Sequence, residues 1–140
     1  MRYEIHERDN DVSIFTAEAD SFSTVVELAL KRGLSLFRAD LSHVNLAGAN
    51  LFHADLRQAD LSESNLSGAN LNGANLSRSN LTHADLTKSN LYAADLTQAI
   101  LIDTDFSNSD LSGSDLSGAK LTGANFTGSD TLGALIKRAA

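Results

Sequence analysis

Residues 39–63 read ADLSHVNLAGANLFHADLRQADLSE, and a leucine returns in this stretch at every fifth position, with Leu41 the first. The same spacing continues to residue 126 without an insertion, and the recurring residue is Leu everywhere except at Phe106 and Phe126. A small residue usually stands two positions before it, and Asp or Asn usually stands one position before it. One short internal repeat therefore dominates the chain and governs the choice of fold.

A period of five fits neither of the regular secondary structures. In a helix, leucines five residues apart would be rotated by about 140° from one to the next, so no apolar stripe would form. In a continuous strand, successive leucines would point to opposite faces. The pattern becomes consistent when a short extended segment, with Ala49 and Leu51 on the same side, is followed by a turn. The chain then coils, and the period alone allows three or four sides in each coil.

Residues typical of turns recur at fixed places in this repeat. Glycines such as Gly48 and Gly113 follow the leucine by two positions, and glycine accepts a positive φ without a steric penalty. Asp and Asn residues such as Asp40 and Asn45 can hydrogen-bond to nearby backbone groups and hold a turn. We therefore interpret these glycines, aspartates and asparagines as structural residues at the corners.

The uninterrupted series of Ala-(Asp/Asn)-Leu-x-x units resembles the pentapeptide repeat proteins. This resemblance implies an all-β fold, the right-handed quadrilateral β-helix, with four repeats in each 20-residue coil. It also implies that the leucine and the small residue point inward. We predict a pentapeptide repeat β-helix of about 4.5 coils over residues 34–130, between a cap at residues 1–33 and a short cap helix at residues 131–140.

The N-terminal cap is predicted to contain a β-hairpin and a helix. Residues 3–7 and 12–17 alternate apolar and polar side chains, and Asp9-Asn10-Asp11 between them is typical of a turn. Residues 21–32 have helical apolar spacing, and Gly33 suits the end of a helix. We expect this unit to cover the open edge of the first coil, which would otherwise favour aggregation. A separate binding module is the alternative.

The C-terminal cap is predicted from a break in the repeat. Thr131 stands where a leucine is expected, and Leu132, Leu135 and Ile136 then follow at helical spacing. The apolar side of such a helix would cover the last coil. Helices at this end mediate dimers in some members of the family that the chain resembles. A homodimer contact through Leu132, Leu135 and Ile136 is therefore the alternative.

Composition limits the classes of function. The net charge is −7, and residues 39–130 contain 11 acidic against 4 basic residues, so direct binding of nucleic acid is disfavoured. The absence of cysteine removes disulfides and thiolate metal sites. The sequence contains neither an apolar segment of signal-peptide length at its start nor a membrane span, which predicts a soluble cytoplasmic protein. No combination of nucleophile and base or phosphate-binding motif indicates an enzyme or a cofactor.

Charged residues form one outward column if residues 20 apart stack on one another. The face in question collects the repeats centred on Leu41, Leu61, Leu81, Leu101 and Leu121. One of its columns reads His43, Glu63, His83, Asp103 and then Gly123. Neighbours in a flat ladder diverge into solvent, whereas a metal ion needs several donors converging on one point. We predict a ladder of opposite charges here, and no metal site.

The same face contains the clearest departures from the repeat. Ile100 occupies a position for Asp or Asn, Ile102 lies at an outward position, and Lys120 follows Ile100 by one coil. Adjacent apolar groups on a polar surface indicate a contact with a partner. The candidate contact therefore consists of these three residues and the charged column. On another face we interpret Phe52 and Tyr92 as isolated surface aromatics in preference to a pair of binding anchors.

Two functions follow from these patterns. The first is a stiff, acidic, non-enzymatic scaffold that binds another protein. The second comes from the resemblance, since some similar proteins bind DNA gyrase in place of duplex DNA and protect it from quinolones. The predicted rod is about 22 Å long and has roughly one net charge per 3 Å, which is about half the linear charge density of duplex DNA. We rank the scaffold first and gyrase or topoisomerase mimicry second.

Overall fold

The structure is a computed structural model and describes residues 1–137. Parallel bridges join residues 20 positions apart, from Asp40–Asp60 to Asp115–Leu135. Four five-residue segments therefore make one coil, and the three-sided alternative is excluded. We call the recurring Leu or Phe the inward position, the residue before it the Asx position, and the second residue after it the corner position.

Backbone hydrogen bonds connect each coil to the next in a regular ladder. The N–H of Leu61, at an inward position, donates to the carbonyl of Asn80 at 2.7 Å. The N–H of Asp60, at an Asx position, donates in the other direction along the axis, to the carbonyl of Ala39 at 2.9 Å. Since this pattern repeats around the coil, each coil is stabilised mainly by its two neighbours.

Each repeat closes with a turn in which the corner residue has a positive φ. In one example the N–H of Ala49 donates to the carbonyl of Leu46 at 3.0 Å, and Gly48 has a φ of 66°. Glycine is expected at such a position, but many corners carry other residues with φ between 52° and 59°: Arg38, His43, His53, Gln58, Glu63, Arg78, His83, Lys88, Ala93, Gln98, Asp103 and Asn108. Glycine therefore marks only some of the corners, because the surrounding hydrogen bonds hold the others in this conformation.

Side chains at the Asx positions hold these turns, as predicted. Asp60 Oδ1 accepts a hydrogen bond from the N–H of Ser62 at 3.0 Å, and Asn125 Oδ1 accepts one from Thr127 at the same distance. Equivalent bonds recur at the Asx positions from Asp40 to Asp130, with two exceptions, Ile100 and Lys120.

The interior of the coil is filled by the inward residues and the small residues that precede them. Inward positions from Leu36 to Leu116 are buried, and the residues two positions before them are Ala, Ser or Thr except at Leu34 and Val44. Phe106 and Phe126 stack with ring centroids 5.1 Å apart and an interplanar angle of 6°, which confirms their predicted packing in the core. Inward pointing of the leucines is likewise confirmed.

The N-terminal residues form strands β1 (Arg2–Glu7) and β2 (Ser13–Glu18) and helix α1 (Phe22–Lys31). Strand β1 pairs with β2 and also with β3 (Ala39–Asp40), both antiparallel, so the sheet order is β2-β1-β3. The side chain of Ser21 caps α1. Val25, Val26 and Ala29 are buried in the same core cluster as the leucines of the coil. The boundary at residue 33 stays a prediction.

The predicted C-terminal helix is wrong for the residues that the structure describes. The N–H of Leu135 donates to the carbonyl of Ser114 at 2.9 Å, and the N–H of Gly118 donates to the carbonyl of Lys137 at 2.8 Å. Gly133 is at a corner with a φ of 72°. The ladder from the preceding coil therefore outweighs the helical spacing of Leu132, Leu135 and Ile136, and the β-helix continues through these residues. Residues 138–140 of the predicted helix lie outside the described residues.

Within residues 1–137, helix α1 has ten residues, and none of the described helices reaches the length and apolarity needed to cross a bilayer.

Candidate protein-contact surface

The coil has four flat faces. Two of them, on opposite sides of the coil, carry residues that are uncommon at their positions in the repeat. The first face contains the repeats whose inward residues are Leu41, Leu61, Leu81, Leu101 and Leu121. The third face contains the repeats whose inward positions are Leu51, Leu71, Leu91, Leu111 and Thr131. Because the chain visits the four sides in order, the first and third faces point in opposite directions.

The charged column of the first face forms two pairs between neighbouring coils. His43 Nδ1 lies 3.3 Å from Glu63 Oε2, and His83 Nδ1 lies 3.8 Å from Asp103 Oδ2. All four side chains are more than half exposed, so each pair contributes only a few tenths of a kcal/mol, and only when its histidine is protonated. Among residues 1–137, no group of three or more His, Cys, Asp or Glu residues is placed to hold a metal ion.

Ile100 fits the backbone ladder of the first face without distortion. Its N–H donates to the carbonyl of Ser79 at 2.9 Å, and its carbonyl accepts from Leu81 at 2.8 Å. Ile100 and Ile102 are half-buried, so they are less exposed than the sequence alone predicts, whereas Lys120 is exposed. The three residues lie on one face, and a backbone β-bridge joins Ile100 to Lys120 in the next coil.

The cost of this departure is seen by comparison with the coil before it. Asn80 Oδ1 accepts two hydrogen bonds from Thr82, one from the N–H at 3.1 Å and one from the hydroxyl at 2.7 Å. The Ile100 side chain has no hydrogen-bond acceptor, so the N–H of Ile102 cannot donate the equivalent bond to it. An intramolecular hydrogen bond contributes about 0.5–1.5 kcal/mol, so the isoleucines remove stability that the repeat normally provides.

A fourth face carries a polar cluster that joins the first coil to the second. It contains the repeats centred on Leu36, Leu56, Leu76, Leu96 and Leu116. Arg57 donates two hydrogen bonds to the Asp55 carboxylate at 2.7 and 2.9 Å, and its guanidinium lies 5.5 Å from the centre of the Phe37 ring. The bonds from Arg57, followed by the bond from the Ser35 hydroxyl, lower the pKa of Asp55 to about 2. This cluster acts as a structural clamp.

Sequence reasoning missed the third face as a candidate contact. Phe52 and Tyr92 are 54% and 50% exposed, and Leu132, assigned to a helix by its spacing, is 80% exposed. All three follow an inward position by one residue and are separated by multiples of 20 residues. That numerical relation was the signal. It already placed Phe52 and Tyr92 on one face, but the third member of the column was missed because the spacing of Leu132 predicts a helix.

The comparisons with known proteins agree with this geometry. The family description "Pentapeptide repeats" matches residues 35–73, 59–95 and 89–128 in eight copies. No curated protein matches the chain significantly. A pentapeptide repeat protein from the Arabidopsis thaliana thylakoid lumen is 33% identical with a TM-score of 0.56, and the match covers 68% of this chain and 63% of that one.

Two cyanobacterial proteins from Nostoc are also similar. HetL, which is involved in heterocyst differentiation regulation, is 34% identical with a TM-score of 0.55, over 72% of this chain and 50% of HetL. Another Nostoc pentapeptide repeat protein is 30% identical with a TM-score of 0.52, over 84% of this chain and 96% of that one. The chain thus spans only part of the first two relatives, and its predicted cytoplasmic location stays a prediction. The family implies a right-handed quadrilateral β-helix, and this chain belongs to the pentapeptide repeat family.

Proposed function

We propose that this protein is a non-enzymatic scaffold, a stiff acidic rod that binds a partner protein through its first face. The contact would consist of Ile100, Ile102 and Lys120, with the charged residues His43, Glu63, His83 and Asp103 beside them. The rod supplies a rigid flat surface, since its backbone is hydrogen-bonded along the axis in both directions. Such a surface can present side chains without losing conformational entropy in the scaffold.

One observation carries the proposal. Ile100 and Lys120 are the exceptions in the series of Asx hydrogen bonds between Asp40 and Asp130, and they lie next to each other on the same face. Both substitutions cost the scaffold a turn-holding bond without adding a fully buried apolar group. A contact with another protein would compensate for this cost, because a half-exposed isoleucine gains stabilisation when a partner covers it.

The double substitution Ile100→Asn with Ile102→Thr tests the proposal, because it repeats the Asn80–Thr82 arrangement one coil later. We expect the free energy of unfolding to rise by about 1 kcal/mol as the Asx bond is restored. We expect affinity for a protein captured by the wild-type chain to fall about tenfold. Ser107→Thr, on a neighbouring face, is the matched control and should change neither quantity. A destabilised double variant would show that both isoleucines serve packing, and would remove the proposal.

Mimicry of duplex DNA at DNA gyrase or topoisomerase is the second candidate, and the acidic excess of the coil is the observation in its favour. Against it, the fourth face interrupts the negative surface with Arg38, Arg57 and Arg78. We therefore expect gyrase supercoiling, titrated with the purified chain to micromolar concentration, to be unaffected. Inhibition of supercoiling, or protection of gyrase from a quinolone, would favour mimicry over the scaffold.

A further inference from the structure

The third face differs from the other faces in charge and in the size of its side chains. It consists of residues 49–53, 69–73, 89–93, 109–113 and 129–133, which read ANLFH, ANLNG, SNLYA, SDLSG and SDTLG and contain neither lysine nor arginine. A surface of exposed aromatic, aliphatic and small polar side chains without lysine or arginine does not suit nucleic acid or an anionic membrane. It is better suited to a protein surface of similar character.

Large and small side chains alternate along this face. Phe52, Tyr92 and Leu132 are exposed and lie two coils apart, which is roughly 9.6 Å at the usual strand spacing. Asn72 and Ser112 occupy the coils between them. The neighbouring corner column begins with His53, whose ring packs against Phe52 and covers Gly73. Beyond it the column consists of Ala93, Gly113 and Gly133, so the surface beside Tyr92 and Leu132 is low. Two surfaces of this kind fit closely when the large side chains of one meet the small side chains of the other.

Charge also differs between the two ends of this face. Lys31 and Glu27 of α1 both line the same cleft as Phe52, so the N-terminal end of the face carries one charge of each sign. The Glu27 carboxylate accepts a hydrogen bond from the N–H of Asn50 at 2.7 Å. Asp110 and Asp130 lie toward the C-terminal end, and each uses one carboxylate oxygen, Oδ1, to accept a bond within its own turn. Antiparallel copies would keep the two acidic ends apart and place each near a lysine, whereas parallel copies would place the acidic ends together.

We propose that the third face is a self-complementary contact between two antiparallel copies of this chain. The two-fold axis passes between the coils of Asn72 and Tyr92, so that Tyr92 of each copy packs over Asn72 of the second copy. In this register Phe52 packs over Ser112 of the second copy, and Lys31 pairs with Asp110.

Leu132 then reaches the apolar surface of Leu30 and Leu34, which line a cleft together with Phe52. An isologous contact of this kind uses one patch twice, as two-fold symmetry requires. The contact uses the side of the rod opposite the first face, so it leaves the proposed partner contact free and stands independently of it.

The size of the face sets the expected strength of the contact. Its width is about 12 Å and its length about 24 Å from strand geometry, so each copy would bury roughly 300–400 Å². Stable complexes bury about 800 Å² on each partner. The dimer is therefore weak and reversible, with a dissociation constant of order 100 μM.

Sedimentation velocity of the full chain from about 10 μM to 1 mM tests this contact. We expect a concentration-dependent monomer–dimer equilibrium, and Tyr92→Ser should raise the dissociation constant about tenfold or more. Serine occupies the equivalent position at Ser112, and an unchanged melting temperature will show that the variant is folded. Lys31→Glu should also weaken the dimer, because it would face Asp110 with a like charge.

Ile102→Thr, on the opposite face, is the control and should leave the dimer unchanged. A wild-type chain that stays monomeric to 1 mM, or a Tyr92→Ser variant that dimerises like the wild type, would overturn the proposal. Equal weakening by Ile102→Thr would overturn the assignment to the third face. Measurement of partner binding by the Tyr92→Ser variant separates the two proposals, since the first face is intact in that variant.

Discussion

Single residues at the corners show how much a left-handed backbone conformation costs in this repeat. Gly48 has a φ of 66°, and a Cβ added there would meet no atom within 4 Å, so Gly48→Ala isolates the backbone effect. A residue with a Cβ in the left-handed region lowers the free energy of unfolding by about 1–2 kcal/mol. Replacing glycine by alanine also reduces the conformational entropy of the unfolded chain, which offsets about 0.5–1 kcal/mol of this loss. We expect the free energy of unfolding to fall by about 0.5–1 kcal/mol, measured by urea denaturation.

Ala93 gives the reverse substitution on the same scaffold. Its φ is 54°, so Ala93→Gly should raise the free energy of unfolding by a similar amount, about 0.5–1 kcal/mol. Both variants should keep the urea m-value of the wild type, because neither changes the surface exposed on unfolding. A change of the same sign in the two variants would show that the corner backbone does not limit stability.

Buried serines test the value of one hydrogen bond inside the coil. The Ser114 hydroxyl is fully buried and has no hydrogen-bond partner among the described residues, whereas the Ser109 hydroxyl donates to the carbonyl of Phe106 at 2.6 Å. Ser114→Ala should raise the free energy of unfolding by about 1 kcal/mol, since an unsatisfied buried group costs that much. Ser109→Ala is the matched control, and it should be neutral or destabilising. Thermal and urea unfolding of both variants measure the difference.

At the scale of elements, the junction between the first two coils depends on the clamp at Asp55. Its pKa falls from 3.8 in the unfolded chain to about 2 in the folded one, so the carboxylate stabilises the fold above about pH 4. This contribution is lost as the pH falls through 2. Partial exposure to solvent reduces its size to about 1 kcal/mol. Asp55→Asn should therefore destabilise the chain at pH 7, and the difference from wild type should shrink as the pH falls below about 4 and vanish below about pH 2.

The control for this pH dependence is Asp95→Asn, two coils later in the same column. Asp95 accepts bonds from Thr97, which an asparagine oxygen can replace, and it forms none of the arginine contacts of Asp55. We expect its stability to follow the wild type across the same pH range. If Asp55→Asn also followed the wild type between pH 2 and 7, the clamp would contribute nothing to the junction. Urea denaturation at each pH measures both.

Local chemistry explains which elements the sequence predicts correctly. The five-residue period, the Asx bonds and the stacked Phe106 and Phe126 depend on short-range spacing or on one inward column. The four sides of the coil are predicted only through the family resemblance, and the strand-like end at Leu135 is not predicted. Both depend on pairing between residues about 20 apart, which no local pattern reveals. Leu132, Leu135 and Ile136 have helical spacing, yet the backbone ladder determines their conformation. The third face was missed because its two aromatics were interpreted as isolated and Leu132, the third member of the column, was assigned to a helix.

For the whole molecule, stability should vary along the axis because each coil contacts only its neighbours. Leu81 is fully buried, with Leu61 and Leu101 stacked on its two sides. Leu121 is only half-buried, since within residues 1–137 no following coil covers it. Leu81→Ala should lower the free energy of unfolding by about 3 kcal/mol, while Leu121→Ala should lower it by about 1 kcal/mol.

Amide hydrogen exchange should show the same gradient, with slow exchange in the coil of Leu81 and faster exchange beyond Leu116 as the end of the stack opens locally. The measurement should be made at about 10 μM, well below the dissociation constant proposed for the third-face dimer, so that only the monomer contributes. Equal costs for the two alanine substitutions, together with uniform exchange, would mean that the end of the coil is covered in solution. The rod would then unfold as one cooperative unit, because its last coil would be covered on both sides and would be as stable as an internal coil.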